Sequence, residues 1–528
     1  MSAVPDTLPV PLDAAAFGLS GEVALVQTHI GYVYLIGKYA FKFKKPVKFD
    51  FLDFTTVEKR RWACEREVTL NRRLCPDLYL GLLPVVEESG KRRVEVKNEN
   101  VRAEKIVDWA VHMRRLADER MLDQLLYKNI VRAEDAKRIA DTLADFYQRQ
   151  RVQNFDTQGN GSLKVVRFNV EENLREGGAL DRAVLPGGAL KFIASRARYF
   201  LDKYGGLIEA RVRDGFVVDG HGDLRAENIN LPENGPPLLF DCIEFNDRFR
   251  IGDRALDVAF LAMDFDSRGR EDLSAALLAR YAERCDPRIH PKLQNFYLGY
   301  RAFVKGKVAA WIAADANVAE GQRTKSVEQA KMLFELGVRY ALRDEPSLLV
   351  FCGPAGSGKS TLATELARRL KCAHLATDRV RDELVPRGAP AEQRYDAAVS
   401  TRVYELLYER AAQSLTRGET VILDGTFTTP ERRKLAADVA APYGARAVLV
   451  WADAAAEKID KHLDERVRSG QTHGSEAGAA VSRKQQASFM APSQKEAGFH
   501  AVCRIDTGGA LEASHAGVWD GVLAALSQ

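Results

Sequence analysis

The sequence predicts two domains of different class: an α+β domain at residues 20–342 and an α/β domain with a parallel sheet at residues 347–528, after an N-terminal segment at 1–19. Three strand-like runs, EVALVQ, YVYLIG and YAFKFK, open the first domain, which then becomes mainly helical. The segment RDEPS breaks the helical pattern with Pro346. Beyond it, LLVFC, TVILDG and RAVLVWA alternate with helical patterns, as in a parallel sheet covered by helices.

The elements of the first domain follow in order from their apolar patterns. Its strand-like runs are rich in β-branched and aromatic residues, and Gly31 and Gly37 separate them. Apolar residues then recur at helical spacing in TTVEKRRWACEREVTLNRRL, AEDAKRIADTLADFYQRQ and ALKFIASRARYFLDKY. Further along, a polar turn lies between the apolar runs GFVV and INL, which predicts a strand, a turn and a second strand.

Composition and charge favour a soluble globular protein. The 528 residues are 46% hydrophobic and 28% charged, and a net charge of +4 gives no support to a nucleic-acid or membrane partner. The seven cysteines are dispersed without a C-x-x-C pair, which favours reduced thiols. The N-terminus lacks a signal-peptide pattern, and no apolar run is long enough to span a bilayer. We therefore expect a cytoplasmic protein, and the oligomeric state stays open.

The most specific motif is GPAGSGKST, which follows LLVFC and precedes an amphipathic helix. It matches G-x-x-x-x-G-K-[ST], a pattern in which glycines let backbone N–H groups surround phosphates at a helix N-terminus. We expect Lys359 to neutralise phosphate charge and Ser360 to hold Mg²⁺. The ATP-binding residues predicted from this motif are Gly353, Gly356, Gly358, Lys359, Ser360 and Thr361.

Two carboxylates and two arginines follow this motif. Asp378 lies in HLATDRVRDEL and Asp424 ends TVILDG. One carboxylate should lie near the water shell of Mg²⁺, and the other could orient or deprotonate an acceptor hydroxyl; the pattern leaves open which does which. A helix N-cap is the alternative for Asp378. Arg466 and Arg468 precede a Gly/Ser-rich loop and could form a lid over the γ-phosphate, with a solvated helix face as the alternative.

On GPAGSGKST, ATDRVR, VILDGTF and the two lid arginines, residues 347–528 resemble the small P-loop kinases of the gluconate kinase, polynucleotide kinase and zeta-toxin type. The resemblance implies that Asp378 faces the hydroxyl to be phosphorylated. Asp424 is then the candidate metal ligand, and Lys359 and Arg466 would stabilise the transferring phosphate. The acceptor cannot be deduced from these motifs.

The first domain carries a second set of polar residues in HGDLRAEN and in the following LLFDCIEF. Phosphoryl transfer needs a carboxylate near the attacking hydroxyl and oxygen ligands for the metal that bridges the phosphates. A loop followed by two antiparallel strands could bring the three side chains together. We expect Asp223 to orient or deprotonate the hydroxyl and Asn228 and Asp241 to bind Mg²⁺, with Glu244 as an auxiliary ligand. A capped turn is the alternative.

This arrangement resembles the protein-kinase-like catalytic loop, in the HGDLxxxN form of aminoglycoside phosphotransferases and choline kinases. The segment RIGDRALDVAFL is similar to the conserved segment that follows the metal-binding aspartate there, and the resemblance implies structural roles for Asp253 and Asp257. It also implies a strand lysine paired with a helix glutamate. We predict the pair Lys42 and Glu67, with Lys44 and Glu65 as the alternatives.

We therefore predict a bifunctional phosphotransferase that moves the γ-phosphate of ATP, with Mg²⁺, to hydroxyl groups of small molecules at two sites. The whole chain is similar to bacterial fusions of an aminoglycoside-phosphotransferase-like domain with a P-loop ATP-binding domain. One alternative is an N-terminal module that binds nucleotide without turnover and regulates the other. Another is a kinase of nucleic-acid ends or nucleotide sugars, of the toxin type.

Overall fold

The computed structural model describes residues 12–28, 30–49, 51–96, 103–150, 159–316, 318–461 and 486–528. They form two compact units, each made of two chain segments. Unit 1 contains Met1–Arg167 and Gly205–Tyr297, and unit 2 contains Phe168–Tyr204 and Leu298–Gln528. The predicted domain limits at residues 342 and 347 stay a prediction. The two units are divided differently, because residues 168–204 and 298–342 group with the C-terminal sheet.

Unit 1 begins with eight short strands and one helix. The strands are β1 Val23–Gln27, β2 Gly31–Ile36, β3 Tyr39–Lys44, β4 Lys48–Phe49, β5 Leu52–Asp53, β6 Tyr79–Glu88, β7 Lys91–Val94 and β8 Ile106–Arg114. Six of them form an antiparallel sheet in the order β1-β2-β3-β8-β6-β7, while β4 and β5 pair with each other. The three predicted strands are therefore confirmed.

The alternation of β3 decides which side chains face the helix. Phe41 and Phe43 pack into one apolar cluster, whereas Ala40 packs into another on the opposite face. Helix α1, Val57–Asn71, contributes Cys64 and Val68 to this second cluster. Because successive residues of a strand point to opposite faces, Lys42 and Lys44 lie on the α1 side together with Ala40.

The rest of unit 1 is mainly helical, as predicted. Its helices are α2 Leu122–Tyr127, α3 Ala133–Arg149, α6 Asp247–Arg250, α7 Arg254–Ser267 and α8 Glu271–Cys285. Two small antiparallel pairs frame the HGDLRAEN loop: β9 Val217–Asp219 with β12 Ile251–Asp253, and β10 Ile229–Asn230 with β11 Leu238–Leu239. The predicted strand, turn and returning strand are confirmed, and Asp241 lies two residues beyond β11.

Three helices have residues in both units: α4 Leu163–Gly178, α5 Gly187–Arg213 and α9 Pro291–Ala314. Within unit 2, α10 is Glu320–Leu342. An ion pair joins Glu335 of α10 to Arg369, and Arg196 of α5 donates to the backbone carbonyl of Leu526. These contacts help attach the helices to the C-terminal sheet.

The C-terminal sheet of unit 2 has five parallel strands: β13 Ser347–Cys352, β14 Ala373–Ala376, β15 Val421–Asp424, β16 Arg446–Asp453 and β17 Ala501–Asp506. Their order is β14-β15-β13-β16-β17. The helices that alternate with them are α11 Lys359–Leu370, α12 Thr377–Leu384, α13 Ala391–Arg394, α14 Ala397–Thr416, α15 Pro430–Asp438 and α16 Leu511–Leu526.

Two features bear on the predicted classes. Strand β13 is central and buried at every residue, as expected of a parallel strand covered on both faces. The predicted α/β class with a parallel sheet is confirmed, as is the α+β class of the N-terminal part. Among the residues that the structure describes, every helix is too short or too polar to span a lipid bilayer.

Candidate functional site

A lysine–glutamate pair links β3 to α1 in unit 1. Lys42 Nζ lies 2.8 Å from Glu67 Oε1, and Lys44 Nζ lies 2.5 Å from Glu67 Oε2. Each carboxylate oxygen of Glu67 therefore accepts from a different lysine. Glu65 instead pairs with Arg61 at the exposed surface of the helix. The predicted contact between Lys42 and Glu67 is present, and Lys44 shares the glutamate rather than replacing Lys42.

The second partner of each lysine separates their positions. Lys42 donates to Asp241, and Lys44 donates to Glu244. The Lys44 side chain is 1% exposed and the Glu244 side chain 4%, whereas the Asp241 carboxylate is 40% exposed. Lys42 therefore lies beside the accessible carboxylate. Lys44 forms a buried ion pair behind it, which occupies the residue predicted as an auxiliary metal ligand.

Asp241 adopts an uncommon backbone conformation, with φ of 62°. Its backbone N–H donates to the hydroxyl of Tyr79 over 3.2 Å, and the next N–H, that of Cys242, donates to Asn71 Oδ1 over 2.9 Å. Partial burial favours the neutral acid, but the charge and hydrogen bond of Lys42 outweigh it and lower the pKa of Asp241 to about 2. Asp241 is therefore an anion at neutral pH.

The HGDLRAEN loop is held by carboxylates of α7. Asp257 accepts from the backbone N–H groups of His221 and Gly222, each over 2.8 Å, and also from the hydroxyl of Tyr147. Asp264 accepts from the backbone N–H of Ala226 over 2.9 Å. These contacts satisfy three backbone N–H groups of the loop and fix its backbone at those points. They agree with the structural role predicted for Asp257.

Asp223 lies between two partners from its own loop. Arg225 donates to both of its carboxylate oxygens, Nε to Oδ1 and Nη2 to Oδ2, over 2.8 Å each. Asn228 Nδ2 donates to Asp223 Oδ2 over 3.0 Å and to the Asp223 carbonyl over 2.9 Å. The structure thus brings Asp223 and Asn228 together and adds an arginine that the motif alone did not assign.

A backbone contact next to the paired strands β10 and β11 brings the predicted metal ligands to one region. The N–H of Phe240 donates to the carbonyl of Asn228 over 3.0 Å, so Asp241 follows directly on a residue bonded to Asn228. Amide and carboxylate oxygens suit Mg²⁺, which commonly uses one or two protein oxygens together with substrate phosphates and water. Asn228 and Asp241 therefore fit the predicted ion. Among the described residues no group of three or more His, Cys, Asp or Glu forms a metal cage.

The P-loop of unit 2 is defined by its backbone conformation. Gly353, Gly356 and Gly358 have φ values of 146°, 89° and 83°, which other residues rarely adopt. A Cβ atom on Gly353 would lie 2.8 Å from the carbonyl oxygen of Ala452, so side chains are also excluded by contact. Helix α11 begins at Lys359, directly after Gly358. The predicted arrangement of strand, glycine-rich turn and helix is present, and it places Ser360 and Thr361 in the first turn.

Asp424 ends β15 and is buried beside the P-loop. Its Oδ2 lies 3.2 Å from His374 Nε2, and its buried Oδ1 lacks a hydrogen-bond partner among the described residues. Burial raises the pKa of Asp424, but His374, Lys359 and Ser360 outweigh it and lower the pKa below its ordinary value. A buried anionic oxygen next to Ser360 fits the Mg²⁺ predicted here, since this ion binds hard oxygen ligands.

Asp378 is the second residue of α12 and lies two residues beyond the end of β14. Its Oδ1 accepts from Arg381 Nη1 over 2.7 Å, while Ala376 holds the N-cap position, so the N-cap alternative is wrong. The side chain is 28% exposed and is thus accessible to a ligand. Arg466 and Arg468 lie outside the described residues.

Several residues of these sites were not predicted from the sequence. Arg225 stands inside the quoted motif, and its spacing of two from Asp223 was a usable signal. His374 is two residues before the end of β14 and pairs with Ile422, two residues before Asp424, in the parallel register. Tyr79 and the pairing of Lys44 with Glu244 had no local signal, because the partners are separated by 162 and 200 residues.

Comparison with known proteins agrees with the class of the C-terminal part. Residues 348–492 match the AAA domain family, described as AAA_33. Among solved structures, the Mycobacterium tuberculosis APS kinase CysC in complex with AMPPNP and APS is 18% identical, covering 34% of this chain and 98% of its own, with a TM-score of 0.27. The GDP complex of aminoglycoside 2'-phosphotransferase-IIIa is 13% identical, covering 60% of this chain and 92% of its own, with a TM-score of 0.37.

Relatives of nearly full length also exist. The uncharacterized proteins Rv2004c of Mycobacterium tuberculosis and Mb2027c of Mycobacterium bovis are each 33% identical over 496 residues. The similarity covers 92% of this chain and 93% of each relative. This chain belongs to the same protein family as these two mycobacterial proteins.

Proposed function

We propose that the chain is a bifunctional ATP-dependent phosphotransferase that acts on hydroxyl groups of small molecules. The observation that carries the proposal is that each unit has its own lysine beside its own anionic carboxylate. Lys42 donates to Asp241 in unit 1, and the charge of Lys359 lowers the pKa of Asp424 in unit 2. A lysine for the phosphates and a carboxylate for their metal are the parts that phosphoryl transfer requires.

In unit 1, Lys42 would bind ATP phosphates while Glu67 orients it, and Asn228 and Asp241 would hold Mg²⁺. Asp223 would accept a hydrogen bond from the acceptor hydroxyl. In unit 2, the P-loop N–H groups and Lys359 would surround the phosphates, Ser360 and Asp424 would hold Mg²⁺ directly or through its water, and Asp378 would face the acceptor. Mg²⁺ supplies charge neutralisation of the phosphates in both cases.

The test uses full-length chains with one site altered at a time and follows transfer of label from γ-labelled ATP into a pool of metabolites. Lys359→Ala removes the P-loop cation, and Asp223→Asn removes the hydroxyl-orienting carboxylate of unit 1. We expect each substitution to abolish a different set of labelled products. Matched controls are Lys434→Ala, at an exposed ion pair with Asp438, and Asp118→Asn, at an exposed pair with Arg115.

A regulatory role for the site in unit 1 is the second candidate, and the ion pair between Asp223 and Arg225 favours it. A carboxylate whose two oxygens already accept from a guanidinium is a poorer partner for an incoming hydroxyl. On this reading unit 1 binds nucleotide without turnover. Unchanged products with Asp223→Asn, together with altered turnover after Lys42→Ala, would favour the regulatory role. A nucleic-acid acceptor is less favoured at a net charge of +4, and a cytoplasmic location remains our expectation.

A further inference from the structure

Arg225 binds Asp223, the carboxylate that would orient the acceptor hydroxyl in unit 1. Its guanidinium binds Asp223 through two parallel hydrogen bonds of 2.8 Å. The side chains of Asp223 and Arg225 are 26% and 31% exposed, so the pair is open to a ligand. A carboxylate oxygen can accept more than one hydrogen bond, so Asp223 Oδ1 can still accept from a hydroxyl. That hydroxyl would lie next to the guanidinium, because Arg225 Nε donates to the same oxygen.

Neighbouring charges hold Arg225 in this position. Glu227 Oε2 lies 3.8 Å from Arg225 Nη1, and Glu227 Oε1 accepts from Arg268 Nη2 over 2.6 Å. Arg268 also lies 3.5 Å from Asp264, the residue that holds the backbone of Ala226. Glu227 and Asp264 are thus each engaged by an arginine. The cation in direct contact with Asp223 is the guanidinium of Arg225.

We propose that Arg225 is a specificity-determining residue that selects an acceptor with an oxyanion, a carboxylate or a phosphate ester, next to the hydroxyl to be phosphorylated. This inference rests on the proposed function of unit 1. The acceptor oxyanion takes the guanidinium in the bidentate manner that Arg provides for carboxylates and phosphates. A cationic acceptor such as choline or an aminosugar would bring its charge against Arg225 and is disfavoured.

When the acceptor binds, Arg225 and Asp223 exchange their partners, and this exchange links acceptor binding to phosphoryl transfer. When the oxyanion binds Arg225, an oxygen of Asp223 becomes available to the acceptor hydroxyl. The hydroxyl oxygen then forms a bond to the γ-phosphorus of ATP while the bond from that phosphorus to the β-bridging oxygen breaks. The hydroxyl proton passes to Asp223, and ADP leaves with the electron pair of the broken bond.

The experiment separates this inference from the proposed function by sorting acceptors before the reaction. A metabolite extract is divided into anionic, neutral and cationic fractions by ion exchange, and each fraction is incubated with γ-labelled ATP and the Lys359→Ala chain. This background silences the P-loop site and reports on unit 1. Binding of a fluorescent ATP analogue is measured on the same samples. We expect label in products of the anionic fraction.

Two substitutions test the role of Arg225 itself. We expect Arg225→Met to lower kcat/KM for the anionic acceptor about a hundredfold, since a bidentate charge-assisted contact is lost. Binding of the ATP analogue should stay unchanged. Arg225→Lys keeps the charge without the fork and should recover part of the activity. Arg115→Met, at an exposed pair with Asp118, is the matched control and should behave like the parent chain.

The outcomes of these experiments separate failure of the inference from failure of the proposed function. Label in the cationic or neutral fraction overturns the inference and leaves the proposed phosphotransferase standing. Label in the anionic fraction that Arg225→Met does not reduce overturns it as well. Absence of label in all fractions, with the ATP analogue still bound, overturns the phosphotransferase proposal for unit 1 and this inference with it. Treating the anionic fraction with phosphatase beforehand distinguishes the sources, since only a carboxylate acceptor survives.

Discussion

The two candidate phosphate-binding sites are built from different groups. In unit 1 the site consists of charged side chains from distant segments: Lys42 and Lys44 share Glu67, and each has a second carboxylate partner. In unit 2 it consists of contiguous backbone, shaped by glycines with positive φ, and one buried carboxylate. The first site therefore depends on the tertiary fold and contributes to its stability, whereas the second depends mainly on local backbone conformation.

The largest effect should come from breaking the buried ion pairs of unit 1. Lys44→Ala leaves the buried carboxylate of Glu244 without its cation, and Glu67 keeps only Lys42. We expect the free energy of unfolding of unit 1 to fall by about 3–5 kcal/mol. Urea unfolding followed by intrinsic fluorescence measures it. The control is Lys59→Ala, at an exposed pair with Asp53, where the change should stay below about 1 kcal/mol. Equal losses in both variants would contradict a buried network.

The next effect tests whether the P-loop site is made of backbone. Gly358→Ala requires only a positive φ, which costs about 1–2 kcal/mol, so affinity for an ATP analogue should fall about tenfold. Gly353→Ala adds contacts of 2.6 Å to Ser357 Oγ and 2.8 Å to the Ala452 carbonyl, and we expect a loss of about a hundredfold. Gly388→Ala, in open space, is the control. Titration calorimetry measures all three, and the reverse order of losses would refute this explanation.

A smaller effect concerns the contact between His374 and Asp424 in the P-loop site. His374 contacts Asp424 Oδ2 and leaves Oδ1 to a ligand. We expect His374→Ala to weaken Mn²⁺ binding about tenfold, as loss of a contact that orients a metal ligand does. His374→Gln should recover part of the affinity, since its amide can donate to the carboxylate. Electron paramagnetic resonance of bound Mn²⁺ measures the affinity without turnover, and equal affinity in the Ala variant would exclude an orienting role.

The smallest effect is a pH dependence in unit 1. The folded pKa of Asp241 is about 2, below its ordinary value of 3.8, so its contribution to stability is present above pH 4 and is lost as pH falls towards 2. Because the carboxylate is 40% exposed, solvent screening limits this contribution to about 1 kcal/mol. Urea unfolding at pH 5 and pH 3 should show a weaker pH dependence for Asp241→Asn than for the parent chain. Asp118→Asn, at an exposed pair, should keep the parent's dependence.

The P-loop could be predicted almost completely from the sequence. Its residues are consecutive, its conformation needs glycine at specified positions, and the strand before it and the helix after it have their own periodicity. The strands and helices of unit 1 were predictable for the same reason, because apolar alternation and helical spacing act over a few residues. That Lys42 and Lys44 share one side of β3 also followed from alternation alone.

The partners of charged side chains were decided by the tertiary structure. Whether Lys42 or Lys44 contacts Glu67 had no single answer in the sequence, since α1 places the glutamate between both. The pairs of Lys42 with Asp241 and of Lys44 with Glu244 join residues 199 and 200 positions apart, and only the fold brings them together. Local patterns specify backbone conformation. The partner of a buried charge is set by packing, because a buried charge is costly unless an opposite charge lies beside it.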